Sequence, residues 1–413
     1  MMDMRDNQAE LYKKLGVPPG IGSGSPFPGN PVTPKSKTGC LAKLMFIVGL
    51  VILALAGIFY FYPLATPDKI RGDILDCALV PQKDGSNRLW ILTDGSFTYV
   101  SSVKTPGHYS VGRKCKSCKA WLYEYDPTVG KVVRRIKIPY KDIIIRTSMF
   151  YNGDKIWHIA DAYHLDEPKI QTFDVLTGAM VEDTAGFISR HPLLAAGIAK
   201  AWYDEKRDLI MLDTKDGRTG LIYPIEKQKL YPSYSLYYDE QRKDISEKEK
   251  FLLCAQDGQD TRKMLYRVKA AHRELIWNES RLQHNCDQFE RKIPHRNGTL
   301  EARQMADTVF LRGIIYHQDQ DGAIVIHLNQ IDKKADRIMT CIDRDGKTKW
   351  TVPQSEMLQK MQIDEDKGYY STFSGSENKI KVIRSGNLVV LMLEGAGIMG
   401  FDYGSGKKLF TID

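Results

Sequence analysis

The sequence predicts an all-β domain carried behind a single N-terminal apolar span, and three observations lead there. One short phrase is written four times: a β-like run, an Asp, a gap of two or three residues, a Gly, then a second β-like run. Short apolar runs recur between the copies, which is the pattern of an all-β chain. A stretch of twenty-one residues, 44–64, carries no charge.

Each phrase has a mechanical cause. The copies turn at Asp126 and Gly130, Asp174 and Gly178, Asp343 and Gly346, and Asp402 and Gly406. An Asp side chain bonds the backbone two residues on, and Gly supplies a positive φ where the second strand begins, so each copy reads as one hairpin. Further β-type runs lie at 89–92, 156–159, 209–212, 251–253, 309–311 and 388–392. They are 42 to 79 residues apart, on the order of a 40–50-residue propeller blade plus insertions. Each reads as the inner strand of one blade, which predicts a β-propeller of six or seven blades over 74–413. Weaker hairpins, 221–223 with 229–230 and 264–266 with 275–277, fill two of the intervals. Residues 281–296 read as a surface insertion.

From the N-terminus, residues 1–43 form a Gly-, Pro- and Ser-rich tail with too few apolar residues to fold. Residues 44–64 are long enough to cross a bilayer core of roughly 30 Å at 1.5 Å rise per residue. Forty-three residues precede this stretch and no clear small-x-small site follows it, so an uncleaved transmembrane helix is expected rather than a signal peptide. Lys35, Lys37 and Lys43 on one side against Lys69 and Arg71 on the other favour a cytoplasmic N-terminus. Residues 65–73 are then a linker, and 74–413 a periplasmic or extracellular domain. The run 74–80 has no neighbour in sequence, so it is expected to close the ring by pairing in the sheet that holds Phe401 or Leu409.

The repeated phrase resembles that of the PQQ-like, or quinoprotein-like, β-propellers. Gly346-Lys347-Thr348-Lys349-Trp350 is the nearest copy, matched by Gly406 to Phe410, whereas Gly130 and Gly178 lead into divergent residues. The resemblance implies the propeller fold but not the family's redox chemistry. No adjacent Cys pair is present to lie against a quinone, and Cys115-x-x-Cys118 is followed by Lys119 rather than the His of a haem site. No cofactor is expected, and the non-catalytic scaffolds for envelope assembly are the better analogy.

Among seven cysteines, Cys40 falls on the cytoplasmic side of the expected span and six fall outside. Cys115 and Cys118 sit among cations that would favour thiolate, so a structural disulfide, a redox dithiol and a metal site stand open, with the disulfide preferred. Cys254 with Cys286 would tie the insertion to its blade, and Cys77 would then be left with Cys341. The spacing His158, Asp161, His164, Asp166 has metal-ligand residue types, but a hydrogen-bonded His beside a solvated loop is the preferred reading. No Gly-x-Ser-x-Gly, phosphate loop or His-Glu-x-x-His occurs.

Charge is concentrated. Arg113, Lys114, Lys116, Lys119, Lys131, Arg134, Arg135, Lys137 and Lys141 face only Glu124 and Asp126 within 111–141, in a chain whose net charge is +8. Such a basic patch suits the membrane surface, an unidentified protein partner or another acidic surface, and no nucleic acid for a domain outside the cytoplasm. The sequence therefore predicts an interaction or assembly module rather than an enzyme. A hydrolase or oxidoreductase with its site in the central funnel is the alternative.

Overall fold

A computed structural model of the chain describes residues 48–50, 69–105, 108–140, 144–162, 168–205, 207–241, 243, 246–255, 261–271, 293–295, 298–332, 335–357 and 379–413. The chain divides into two units, Met1–Ala65 and Thr66–Asp413. In the first, Val48, Gly49 and Leu50 are helical, and the rest of the expected span lies outside the described residues. No helix among the described residues is long and apolar enough to cross a membrane.

The second unit is all-β and propeller-like. Its first sheet is built from β1 (Asp73–Pro81), β2 (Asn87–Asp94), β5 (Lys119–Asp126) and β6 (Lys131–Pro139), in that order. Between β2 and β5 the chain makes a separate two-stranded hairpin, β3 (Phe97–Thr105) and β4 (His108–Ser117). The second sheet runs β7 (Ile144–Asn152), β8 (Lys155–Ala162), β9 (Lys169–Asp174) and β10 (Met180–Glu182), followed by helix α1 (Thr184–Arg190). The third has β11 (Ile198–Asp204), β12 (Leu209–Thr214) and β13 (Leu221–Pro224), with helix α2 (Tyr234–Gln241) behind it.

A longer sheet follows, of β14 (Glu247–Ala255), β15 (Arg262–Ala271), β16 (Ile293–His295), β17 (Gly298–Asp319), β18 (Gly322–Leu328), β19 (Arg337–Asp343) and β20 (Thr348–Pro353). Its centre is the 22-residue β17, which pairs β15 up to Leu311 and β18 from Leu311 onward. Arg312, at φ 47°, marks the change of partner. The last sheet is β21 (Ile380–Ser385), β22 (Leu388–Leu393), β23 (Gly397–Asp402) and β24 (Lys408–Ile412).

All four Asp/Gly phrases form the hairpin between the last two strands of a sheet, each with an Asp-to-backbone bond two or three residues on. Asp126 Oδ1 accepts from the Thr128 amide at 2.8 Å, Asp174 from Thr177 at 2.7 Å, Asp343 from Asp345 at 2.9 Å and Asp402 from Ser405 at 2.7 Å. The closing glycines have φ of 69°, 71°, 87° and 72°, a region that costs a side-chain-bearing residue most. The weaker 221–230 phrase has decayed to one bridge, Ile222 with Tyr231, and its sheet stops at three strands.

The apolar runs are explained by burial on both faces. On β2, Leu89 and Ile91 pack against Leu388, Val390 and Met392 of the last sheet, while Trp90 and Leu92 pack against Met149 and Ile156 of the second. On β8, Ile156 and Ala160 face the first sheet, and Trp157 and Ile159 face the third. A strand covered by sheets on both sides has no solvent face, so its sequence does not alternate.

The expected pairing of 74–80 with the last sheet is not what the fold does. β1 pairs β2 and heads its own sheet, and it meets the last sheet by packing, Ile74, Cys77 and Leu79 sharing a core with Leu388, Val390, Ile398 and Ile412, and by one backbone bond, the Gly395 amide donating to the Ile74 carbonyl at 2.7 Å. A complete four-stranded last sheet leaves no gap for a strand from the other end of the chain.

Trp350 of β20 shows how neighbouring sheets lock. Its Nε1 donates to the Tyr403 carbonyl at 2.8 Å, and its ring covers the turn where a Cβ on Gly406 would fall 2.6 Å away. Trp350→Ala should cost about 3–5 kcal/mol, read as a lowered denaturant midpoint with little change in slope.

Candidate functional site

In these sheets β1, β7, β11 and β21 are edge strands, and β7 lies against β1 and β11, β21 against β1. At this inner line a bulge between Ile74 and Asp76 re-aims β1. The Asp76 side chain is fully buried. Its Oδ1 accepts from the Cys77 amide at 2.7 Å and from Lys381 Nζ at 2.8 Å, and its Oδ2 from the Met149 amide at 2.8 Å and Lys379 Nζ at 2.7 Å. Lys381 Nζ also donates to the carbonyls of Cys77 at 2.9 Å and Met149 at 2.6 Å. Glu205, just past β11, pairs with Lys379 and lies 3.7 Å from Lys381.

One carboxylate thus joins β1, β7 and β21. Burial works to raise the Asp76 pKa, but the ammonium groups of Lys379 and Lys381 outweigh it and hold the carboxyl below its ordinary 3.8. Burial likewise opposes the charge on Lys379, and Asp76 with Glu205 more than restores it. Each Asp76 oxygen has two donors, and Lys381 has three acceptors within hydrogen-bond range.

The cysteines divide differently from the expected pairing. Cys77 and Cys341 are free and buried in separate cores, which overturns a bond between them. Burial pushes their thiols up to about 12 and about 11, so both stay protonated and unreactive. Cys118 and Cys254 are each engaged rather than free. The side chain of Cys115 and all of Cys286 lie outside the described residues, so neither expected pairing is on view.

His158 is a core residue. Its Nδ1 meets the Gln171 Oε1 at 3.2 Å, and its Nε2 meets the Tyr140 hydroxyl at 2.9 Å and the Thr147 hydroxyl at 3.1 Å. An Nδ1–H donated to Gln171 leaves Nε2 to accept from a hydroxyl, which is the neutral tautomer. Burial pushes the His158 pKa down to about 4. The Asp161 side chain, His164 and Asp166 lie outside the described residues, and no metal-binding group of His, Cys, Asp and Glu occurs among the described ones.

The basic patch splits by face. Arg134 turns inward, 3.5 Å from Glu124 and donating to the Leu176 carbonyl at 2.8 Å. Arg135 and Lys137 lie across from Tyr123 and Trp121 on β5. There the Trp121 ring is flanked by Arg135 at 4.7 Å and Lys119 at 5.4 Å, with Lys137 exposed. Arg113, Lys114 and Lys116 are on β4, whose backbone is described and whose side chains are not.

Sequence reasoning missed the Asp76 cluster. Its one local signal was Asp76, a carboxylate inside an apolar run, which a strand buries only with a partner. Its lysine partners are more than 300 positions away.

No family model matches the chain, and no curated protein matches it. Solved structures that align with it include a periplasmic gluconolactonase of Pseudomonas aeruginosa, at 11% identity over 82% of this chain and 84% of that one, with a TM-score of 0.24. The computationally designed Ika8 protein aligns at 12% identity over 83% and 87%, TM-score 0.21. BamB from Moraxella catarrhalis aligns at 11% identity over 78% and 76%, TM-score 0.20.

Two predictions follow from the buried groups. Asp76→Asn leaves Lys379 and Lys381 with only the partly exposed Glu205 as their anion and should cost about 3–5 kcal/mol. Because the Asp76 pKa is lowered on folding, its contribution is complete above its unfolded value near 3.8 and is lost as pH falls below it. The variant should lack that acid-limb loss in equilibrium unfolding. His158 is also depressed on folding, so its contribution is full above 6.5 and lost as pH falls toward about 4. Across that window His158→Gln should flatten the stability slope by up to about 1.4 kcal/mol per pH unit.

Proposed function

We propose that this protein is a membrane-anchored, extracytoplasmic β-propeller of six blades that works by binding and positioning other molecules. Six blades follow if the long sheet is divided at β17, where the strand changes partner beside Arg312. The anchor is the uncharged stretch 44–64.

The observation that carries the reading is the mutual engagement of the groups around the buried Asp76. Where a funnel enzyme would present unspent acid, base or nucleophile, Asp76, Lys379, Lys381 and Glu205 are engaged with one another and with backbone. One set of cation and aromatic groups within the predicted basic patch lies on the outer part of the first sheet, around Trp121. Such composition suits recognition, since a cation beside an indole keeps its charge while the ring supplies apolar area.

The test places a photo-crosslinking amino acid at position 137 of the full-length protein, with position 248 on β14 as reference. Irradiation in cells should give a discrete adduct from position 137, severalfold above the reference. Hydrolase or oxidoreductase turnover that Glu205→Gln abolishes, with melting unchanged, would overturn the reading in favour of a funnel enzyme.

A further inference from the structure

The register of the first sheet brings the entry of the chain and its cationic face to one end. Asp73 pairs with Asp94, Asp94 with Ala120, and Ala120 with Ile138. The start of β1, the departure and return of the β3–β4 hairpin, and the end of β6 that bears Lys137 therefore lie side by side. The residues before β1 are docked there. Ile70 and Trp121 pack against the same core, and Thr93 donates to the Arg71 carbonyl at 2.6 Å.

The β3–β4 hairpin pairs with no other strand among the described residues. Its segment, 97–117, contains Lys104, Arg113, Lys114 and Lys116, the rings of Phe97, Tyr99 and Tyr109, and no carboxylate. In the backbone register Lys104 is the partner of Tyr109 and Lys114 of Tyr99. Among the described residues the carboxylates at this end are Asp73 and Asp94, and Asp94 is engaged by the Ser96 amide at 2.8 Å.

Only residues 65–72 separate the uncharged stretch from β1. Fully extended, eight residues reach at most about 30 Å. Cations mixed with Tyr and Trp suit a headgroup layer, where rings take the boundary and Lys or Arg the phosphates.

We propose that this end of the first sheet, the β3–β4 hairpin with Lys119, Trp121 and Lys137, rests on anionic phospholipid headgroups of the membrane that holds the chain. The inference rests on the anchored reading above and assigns the partner of its outer face. Attraction of this kind fades within a Debye length of about 8 Å at physiological salt, so it acts only if the face lies at the surface.

The experiment reconstitutes the full-length protein in nanodiscs of phosphatidylcholine alone or mixed with phosphatidylglycerol, and follows amide exchange. Exchange over 97–117 and 135–139 should slow severalfold in the anionic discs relative to the neutral ones. The difference should vanish at high salt and in Lys114→Glu/Lys137→Glu, whose exchange elsewhere is unchanged. Each charge removed should weaken the attraction roughly fivefold. Equal exchange in both lipids, from protein that has entered the discs, would overturn the lipid assignment. Equal exchange with a protein adduct from position 137 would give the face to an acidic protein and leave the module reading standing. Failure to enter either disc would instead overturn the anchor.

Discussion

The buried carboxylate of Asp76 is the joint on which the arrangement of sheets turns. A charge with no water around it must be matched by partners or it destabilises the fold by several kcal/mol. Here the partners come from three sheets: the Met149 amide from β7, and Lys379 and Lys381 from the start of β21, against β1 itself. The arrangement is mutual, because Lys381 in turn donates to the carbonyls of Cys77 and Met149. Inner edge strands offer unpaired backbone groups, and an ammonium bridging two of their carbonyls satisfies them where no further strand could fit. First and last sheets are thereby joined without exchanging a strand.

Around that joint, stability comes from sheets shared face to face. The alternate residues of β2 belong to two different cores, one with the last sheet and one with the second. The same holds for β22, where Val389 and Leu391 face β18–β20 and Val390 and Met392 face the first sheet. A substitution in such a strand is felt in one interface and spared in the other, since side chains of opposite pleat do not meet. Hairpin tips add crosslinks between sheets, as Arg134 does to the Leu176 carbonyl and Trp350 to that of Tyr403.

Positive charge in this chain has two separate uses, which a count of residues merges. Arg88, Arg134, Lys379, Lys381 and Arg384 are committed to carboxylates, and Arg384 with Lys349 also encloses the Tyr403 ring at 3.5 and 3.6 Å. These hold the fold. Lys119 and Arg135 instead bracket Trp121 near the exposed Lys137. The difference follows from strand pleat, since Arg134 and Arg135 are adjacent in sequence and opposite in direction.

By itself the sequence determined what local chemistry controls. The four Asp/Gly hairpins could be read at residue level because both the Asx bond and the positive φ are satisfied within five residues. The apolar runs at 89–92 and 388–392 marked the doubly covered strands for the same reason, burial on both faces leaving no polar alternation. Tertiary structure alone decided the rest. It set β1 at the head of its own sheet, left Cys77 and Cys341 apart, made His158 a neutral core residue, and brought Asp76 to Lys379 and Lys381. Each of these depends on groups distant along the chain, and pairing between them is fixed by sheet packing, which leaves no periodicity for a sequence to display.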